Sequence, residues 1–232
     1  MAQPVTALEI FSLYICPCLI DSHLSLLFLE MWLLLSGPLV FTISVFIGLY
    51  LLINWLYRRP YIHGYSHKTV FITGTDSGFG FELSLNLDKK GVKVYAGCYT
   101  KEGAENLQRL ASSRLKTINI DITNKESVIR ARETIEIDLQ INGQQLWGLV
   151  NNAGILSGGF VFCLASLEDY RAMMEVNFFG TINVTKTFSP LLQKSAGRIV
   201  NVISIGGRCS GGVIEPYTCS KHAMEPYSDG LR

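Results

Sequence analysis

Twenty-seven consecutive residues, Met31 to Tyr57, carry no charged side chain and are rich in Leu, Ile, Val, Phe and Trp. A helix needs about 20 apolar residues to cross a bilayer core, so this run is long enough to span. Seven uncharged turns are not expected of the buried helix of a soluble domain. Trp55 and Tyr57 stand where interfacial aromatics belong, and Arg58 and Arg59 follow at once. Gly37-Pro38 offers a place for a kink near the start of the run. The chain is therefore expected to combine a transmembrane helix over residues 31–57 with a folded domain elsewhere.

The charges support that division. No Lys or Arg precedes Arg58, whereas Glu9, Asp21 and Glu30 do, so all 20 basic residues and 16 of the 19 acids lie between 58 and 232. Positive charge after the span and negative charge before it predict a cytosolic domain. The basic excess is small and dispersed, which argues against a nucleic-acid partner. Residues 10–20 form a second apolar run that is too short to span and contains Pro17. Neither run has a basic region before it, and no Arg-rich, acid-poor presequence is present. Residues 1–30 are read as an extension of unknown role, 58–67 as a linker, and 68–232 as the domain.

Cys16, Cys18, Cys98, Cys163, Cys209 and Cys219 form no CxxC pair and no repeated spacing, so they are read as free thiols, with no zinc site. His63 and His67 are four apart, but Gly64 lies between them and no third ligand is near, so no metal is expected. The glycosylation sequon at Asn183 falls in a helical stretch and is discounted.

After Lys68 short β-rich runs alternate with helical ones. Residues 69–73, 93–97, 115–121, 146–151 and 198–204 are predicted strands; 79–90, 102–111, 125–141 and 166–194 are predicted helices. Strands separated by helices imply an α/β, Rossmann-like doubly wound parallel sheet. A dinucleotide would lie across its strand carboxyl ends. The first strand runs directly into Thr73-Gly74-Thr75-Asp76-Ser77-Gly78-Phe79-Gly80. Gly74, Gly78 and Gly80 permit a tight turn and a close approach of backbone to pyrophosphate, with the next helix's amino end facing the phosphates. Asp121, followed by Ile122, ends the third strand and could accept from an adenine amino group. Asn151, Asn152, Ala153 and Gly154 end the fourth strand with amide and small side chains suited to holding backbone against the cofactor.

Tyr217 and Lys221 are four apart, which on a helix places their Cβ atoms about 6 Å from each other on one face. An ammonium beside a phenol favours phenolate and makes the pair a usable general acid or base. Ser204 ends the strand before them and could hydrogen-bond a substrate oxygen as charge develops there.

TGTDSGFG (73–80), DIT (121–123), NNAG (151–154), VN (176–177) and YTCSK (217–221) together resemble the short-chain dehydrogenase/reductase family, from about Lys68 onward. The resemblance implies that Ser204 binds the carbonyl or hydroxyl, Tyr217 exchanges the proton, Lys221 also holds the nicotinamide ribose, and Asn177 supports a water-linked proton relay. The implied reaction is NAD(P)-dependent oxidoreduction, with the hydride chemistry supplied by the cofactor. YAGCYTKEGAENL, LWGLVNNAGI and VNFFGTINVTKTFSPLL further resemble the branch of retinol dehydrogenases, 17β-hydroxysteroid dehydrogenases (notably type 2) and D-β-hydroxybutyrate dehydrogenase. The first two groups imply a bilayer anchor, an endoplasmic-reticulum setting, lipophilic steroid or retinoid alcohols as substrates, and a homodimer as one assembly. The alternatives are a 3-hydroxybutyrate-type hydroxy acid dehydrogenase, suggested by Pro216 and the YAGC stretch, and an inactive cofactor-fold protein that acts by binding.

The sequence departs from the family in several places. Met31-Trp32-Leu33 resembles the usual start of that branch. The chain stops at Arg232, soon after Lys221, where members continue; it is read as truncated at its carboxyl end, poorly stable, and weak or dead in catalysis. Pro226 falls inside the expected active-site helix, at a cost of about 3 kcal/mol if interior. Ile203 stands where relatives carry a second serine. At the end of the second strand, where an Asp would read NAD or an Arg NADP, stand Gly97 and Cys98. Ser77 occupies a place often basic in NADP users and Asp76 would repel a phosphate, so NAD is favoured over NADP, with Lys101 as the counterargument.

Overall fold

The structure is a computed structural model, and it describes residues 22–57, 64–156, 165–210, 212 and 214–231. The chain divides into two compact units, Met1–Ile62 and His63–Arg232. The apolar run at 10–20, Arg58, Arg59, His63, Cys16, Cys18 and Cys163 lie outside the described residues.

In the first unit, helix α1 (Ser22–Tyr57) begins well before the uncharged run and continues through Pro38. Its segment Glu30–Leu56 is long and apolar enough to cross a membrane. At 1.5 Å per residue those 27 residues reach about 40 Å, against about 30 Å of hydrocarbon. The Thr42 and Ser44 hydroxyls donate to the carbonyls of Pro38 (2.7 Å) and Val40 (2.8 Å). These polar groups are thus satisfied within the helix, as an apolar surrounding requires.

The second unit is a five-stranded parallel sheet of β1 (Thr69–Thr73), β2 (Lys93–Cys98), β3 (Leu115–Asn119), β4 (Leu146–Asn151) and β5 (Arg198–Asn201), in the order β3-β2-β1-β4-β5. The order reverses between β1 and β4, which creates a crevice at their carboxyl ends. All five residues of β1 are buried, as expected of a central parallel strand covered on both faces. Side-chain alternation sends Phe71 to one face and Val70 and Ile72 to the other. Phe71 stacks on Phe188 at 4.6 Å, joining β1 to helix α6 (Thr181–Lys194), with helix α4 (Lys125–Ile141) packed beside it through Val128, Ile135 and Leu139. Helices α2 (Gly78–Lys89) and α3 (Lys101–Leu110) cover the opposite face.

Local chemistry sets the helix starts. Thr100 caps α3 by accepting from Gly103 N–H, Asn124 caps α4 through Ser127 N–H, and Ser166 with Asp169 forms a capping box for helix α5 (Leu167–Met174).

Three expected boundaries shift. Strand β3 stops at Asn119, because the Asp121 carboxylate accepts from Thr123 N–H (2.9 Å) and its hydroxyl (2.7 Å) and curls the chain into a turn. Strand β5 stops at Asn201, where β4 has no more residues to offer; Val202 N–H makes the last bond, to Asn151 O at 2.9 Å. The helix expected over 166–194 is interrupted by a π-helical turn, Glu175–Gly180, that carries Asn177. Helix α7 (Glu215–Asp229) holds Tyr217 and Lys221 and accommodates Pro226 on its exposed side.

Candidate active site

The glycine turn is built by close packing. Gly74 has φ +69°, and a Cβ there would lie 2.5 Å from Ala153 Cα; one at Gly80 would meet Gly74 O at 2.3 Å. Glycine is therefore required at both, since the β1 turn and the β4 end lie backbone to backbone. Thr73 joins them: its hydroxyl accepts from Asn152 N–H and Ala153 N–H at 3.2 Å each. The Asn152 amide donates to Thr73 O (3.0 Å) and Gly74 O (2.8 Å).

Above this seam, α2 begins at Gly78 after Ser77, which makes no side-chain cap. Ser77, Gly78 and Phe79 are exposed, and nothing lies within 4 Å of a Cβ built on Gly78, whose φ is +62°. An uncapped, exposed helix amino terminus offers backbone N–H groups to an anion. This geometry fits the pyrophosphate of a dinucleotide. An open cleft of about 590 Å³, lined by Asp76, Ser77, Gly78, Phe81, Asn106, Arg109 and Leu110, lies beside it, between α2 and α3. A second cleft of about 600 Å³ lies along α5 and the π turn at Tyr170, Arg171, Met174 and Phe179. Neither includes Tyr217 or Lys221.

Asp76 reaches from the glycine turn to the end of β2, where its carboxylate accepts from Tyr99 N–H (2.9 Å), Thr100 N–H (2.7 Å) and the Thr100 hydroxyl (2.7 Å). Three residues expected at the cofactor turn their side chains inward instead. Cys98 is fully buried against Thr75 (3.1 Å), and burial, more than the nearby Asp76 charge, pushes its thiol above its ordinary range. Ile122 packs into the core, within 2.8 Å of the Cβ position of Gly180. The Asn151 amide donates to the Thr185 hydroxyl (2.9 Å) and Asn201 Oδ1 (2.8 Å). Any nucleotide contact at these three positions falls to their backbone.

At the carboxyl end of β4 the expected catalytic residues converge, as a Cβ on Gly154 would lie 3.1 Å from Asn177 Oδ1 and 3.4 Å from Lys221 Nζ. Asn177 is buried, and both ends of its amide are bonded: Oδ1 accepts from Ile155 N–H (2.8 Å), and Nδ2 donates to Ile155 O (3.0 Å) and Ser220 Oγ (2.9 Å), which leaves one lone pair of Oδ1 open. Ser220 in turn donates to Tyr217 O at 2.7 Å. Lys221 Nζ is buried, donates to Val202 O (3.2 Å) and lies 5.6 Å from the Tyr217 ring centre. Burial pushes its ammonium below the ordinary lysine range. Ser204 Oγ accepts from Gly206 N–H at 3.0 Å, which leaves its own proton available to donate. Ser204 Oγ and Tyr217 Cε1 each lie 3.4 Å from a Cβ built on Gly206, so the two face the same spot.

Thr73, Thr100 and Ser220 had no role assigned from the sequence. Thr73 and Ser220 lie inside the TGTDSGFG and YTCSK motifs, which is the one signal that could have raised them.

Residues 68–232 match the family profile described as short chain dehydrogenase. Among similar proteins, 17-beta-hydroxysteroid dehydrogenase type 6 of Bos taurus is 45% identical over 193 residues, 82% of this chain and 59% of that protein. Retinol dehydrogenase 16 of Homo sapiens is 42% identical over 193 residues, with the same coverage of 82% and 59%. Mitochondrial D-beta-hydroxybutyrate dehydrogenase of Mus musculus is 44% identical over 171 residues, 72% of this chain and 50% of that protein. The chain thus spans 59% or less of the length of these relatives. Among solved structures, a short chain dehydrogenase from Burkholderia cenocepacia in complex with NADP superposes with a TM-score of 0.62 at 34% identity, over 71% of this chain and 65% of that one. A 3-ketoacyl-(acyl-carrier-protein) reductase from Brucella melitensis complexed with NADH gives 0.64 at 27% identity, over 71% and 68%.

Proposed function

The chain belongs to the short-chain dehydrogenase family, and on that premise we propose that it serves NAD(P)-dependent interconversion of a lipophilic alcohol, a steroid or retinoid, with its ketone or aldehyde. The observation that carries this reading is the convergence of Asn177 and Lys221 on Gly154, with Tyr217 and Ser204 meeting across Gly206.

When bound, the nicotinamide dinucleotide supplies or accepts the hydride. The chain's own residues do the rest. Gly78 and the uncapped start of α2 receive the pyrophosphate, with Asp76, Ser77 and Phe79 beside it. Asp121, Asn152, Ala153 and Gly154 line the crease at the strand ends, and Cys98, Ile122 and Asn151 present backbone. Ser204 donates to the substrate oxygen. Tyr217 exchanges the proton with that oxygen. The Lys221 ammonium stabilises negative charge as it develops on the phenol oxygen and holds the ribose. Asn177 belongs to the water-linked relay that replenishes the proton. NAD is favoured over NADP, because Ser77 stands where many NADP users carry a basic residue and the neighbouring Asp76 carboxylate would repel a 2′-phosphate.

A bilayer anchor over residues 31–57, a linker over 58–67 and a domain over 68–232 suit substrates that partition into lipid. The charge pattern supports a cytosolic side for the domain, the likeness to retinol and 17β-hydroxysteroid dehydrogenases supports an endoplasmic-reticulum membrane, and a homodimer is one assembly open to the chain. The 44% identity to the Mus musculus D-beta-hydroxybutyrate dehydrogenase supports a second reading, a small 3-hydroxy acid as substrate.

An NAD-coupled absorbance assay on membranes carrying the full chain, run in parallel with a steroid alcohol, retinol and 3-hydroxybutyrate, separates these readings. Slow turnover of a steroid or retinol is expected, reduced about 100-fold or more in Tyr217→Phe. Turnover of 3-hydroxybutyrate alone moves the substrate to the second reading. Nucleotide binding without turnover of any of the three makes the chain a cofactor-binding protein and overturns the enzymatic proposal.

A further inference from the structure

We propose that Asp76 selects NAD over NADP by filling, from within the chain, the anion site at the amino end of α3. The inference rests on the dinucleotide reading above and names the residue that sets its cofactor preference.

In doubly wound sheets the end of the second strand faces the adenosine ribose, where a carboxylate accepts from the 2′-hydroxyl or a cation takes the 2′-phosphate. Strand β2 supplies neither group here. The position is served from 23 residues upstream, by Asp76 of the glycine turn. Its Oδ2 accepts from Tyr99 N–H and its Oδ1 from Thr100 N–H and the Thr100 hydroxyl. The Thr100 hydroxyl also accepts from Gly103 N–H at 3.0 Å, so donors of the first turn of α3 are funnelled through it to the carboxylate. A Cβ on Gly103 would lie 2.8 Å from Asp76 Cα, Cβ and Oδ1, so the carboxylate sits directly on that turn. Asn119 steadies the loop by donating to Tyr99 O at 3.3 Å.

Backbone N–H groups at a helix start are the donors that a 2′-phosphate would use. Here the Tyr99 and Thr100 N–H groups just ahead of that start, with the Thr100 hydroxyl, already hold an anion. A phosphate would meet a like charge and find its donors spent, whereas a 2′-hydroxyl can donate to the second lone pair of Oδ2. Two cations beside this place are engaged with other side chains. Lys101 is exposed and pairs with Glu105 at 3.7 Å, and Arg109, in the cleft beside Asp76, donates to the Asn106 side chain.

The test is calorimetric titration of NAD and NADP into the full chain in detergent micelles, for the wild type, Asp76→Asn and the double variant Lys101→Ala/Arg109→Ala. The wild type is expected to bind NADP at least about 100-fold more weakly than NAD, and Asp76→Asn to narrow that ratio about tenfold or more. The double variant is expected to leave the ratio unchanged. Asp76→Ser, which keeps a hydroxyl acceptor for Thr100 N–H, carries the same expectation and stands in should Asp76→Asn not fold. Equal wild-type affinities, an unchanged ratio in both Asp76 variants, or a loss confined to NADP in the double variant would overturn the assignment. If the wild type binds neither nucleotide, the cofactor reading falls and the assignment with it. Binding of NAD without the predicted ratio sinks the assignment alone.

Discussion

At the scale of single residues, the site depends on side chains that never meet a substrate. Thr73 is buried at the carboxyl end of β1, and its hydroxyl receives the first two N–H groups after β4 and so holds the glycine turn against Asn152 and Ala153. Thr73→Val keeps the shape and removes the acceptor, leaving two donors unpaired at about 1–3 kcal/mol each. Thermal denaturation should show it less stable by about 2 kcal/mol or more and nucleotide titration should show weaker binding. Thr75→Val, which loses one hydroxyl donor to Gly97 O, should cost about 1 kcal/mol. If the two variants are equally stable, Thr73 is not the seam. Such roles were illegible in the sequence because they depend on which backbone groups two distant strands bring together. The glycines were legible, since strand followed by TGTDSGFG followed by helix leaves few other uses for them.

At the scale of elements, the end of the sheet away from the site is held by one carboxylate. Asp138 near the end of α4 accepts from Lys93 on β2 and Lys116 on β3, each at 2.6 Å, and from the Tyr95 hydroxyl. Burial alone would raise this carboxyl, but the hydrogen bonds from Lys116, Lys93 and Tyr95 outweigh it and hold it well below the usual carboxylate range. A group whose folded value is depressed contributes stability above its unfolded value, about 3.9, and loses that contribution as pH falls toward the folded value. Asp138→Asn should therefore lower stability near neutral pH by about 2 kcal/mol. The gap in melting temperature between it and the wild type should close as the pH is taken from 5 to below about 3. A gap that is constant across that range would mean that shape, and not charge, joins α4 to the sheet. The helices themselves were largely readable from their apolar spacing and caps. The π turn at Glu175–Gly180 was not, because it answers to Ile155 and Ser220, which are distant in sequence and close only after folding.

At the scale of the whole molecule, an apolar helix and a nucleotide-binding sheet share one chain. Val45→Arg with Leu49→Arg places two charges in the middle of α1, each expected to cost about 2.5–3.5 kcal/mol for insertion. The full chain should resist alkaline carbonate extraction from membranes and the double variant should be released; retention of both would argue against a spanning role. Much of the molecule was readable at this scale from the sequence. A run of 27 uncharged residues has no stable place in water, alternating β and α runs close only as a parallel sheet, and five motifs in order, three at strand ends and two on helical segments, leave one family. Folding decided what short-range patterns do not encode. It turned Cys98, Ile122 and Asn151 away from the crease, spent the Asn177 amide on Ile155 and Ser220, and carried Asp76 across to β2 to occupy the start of α3. Spacing along a chain says which residues share a strand or helix face, but which donor meets which acceptor is settled only when those faces pack.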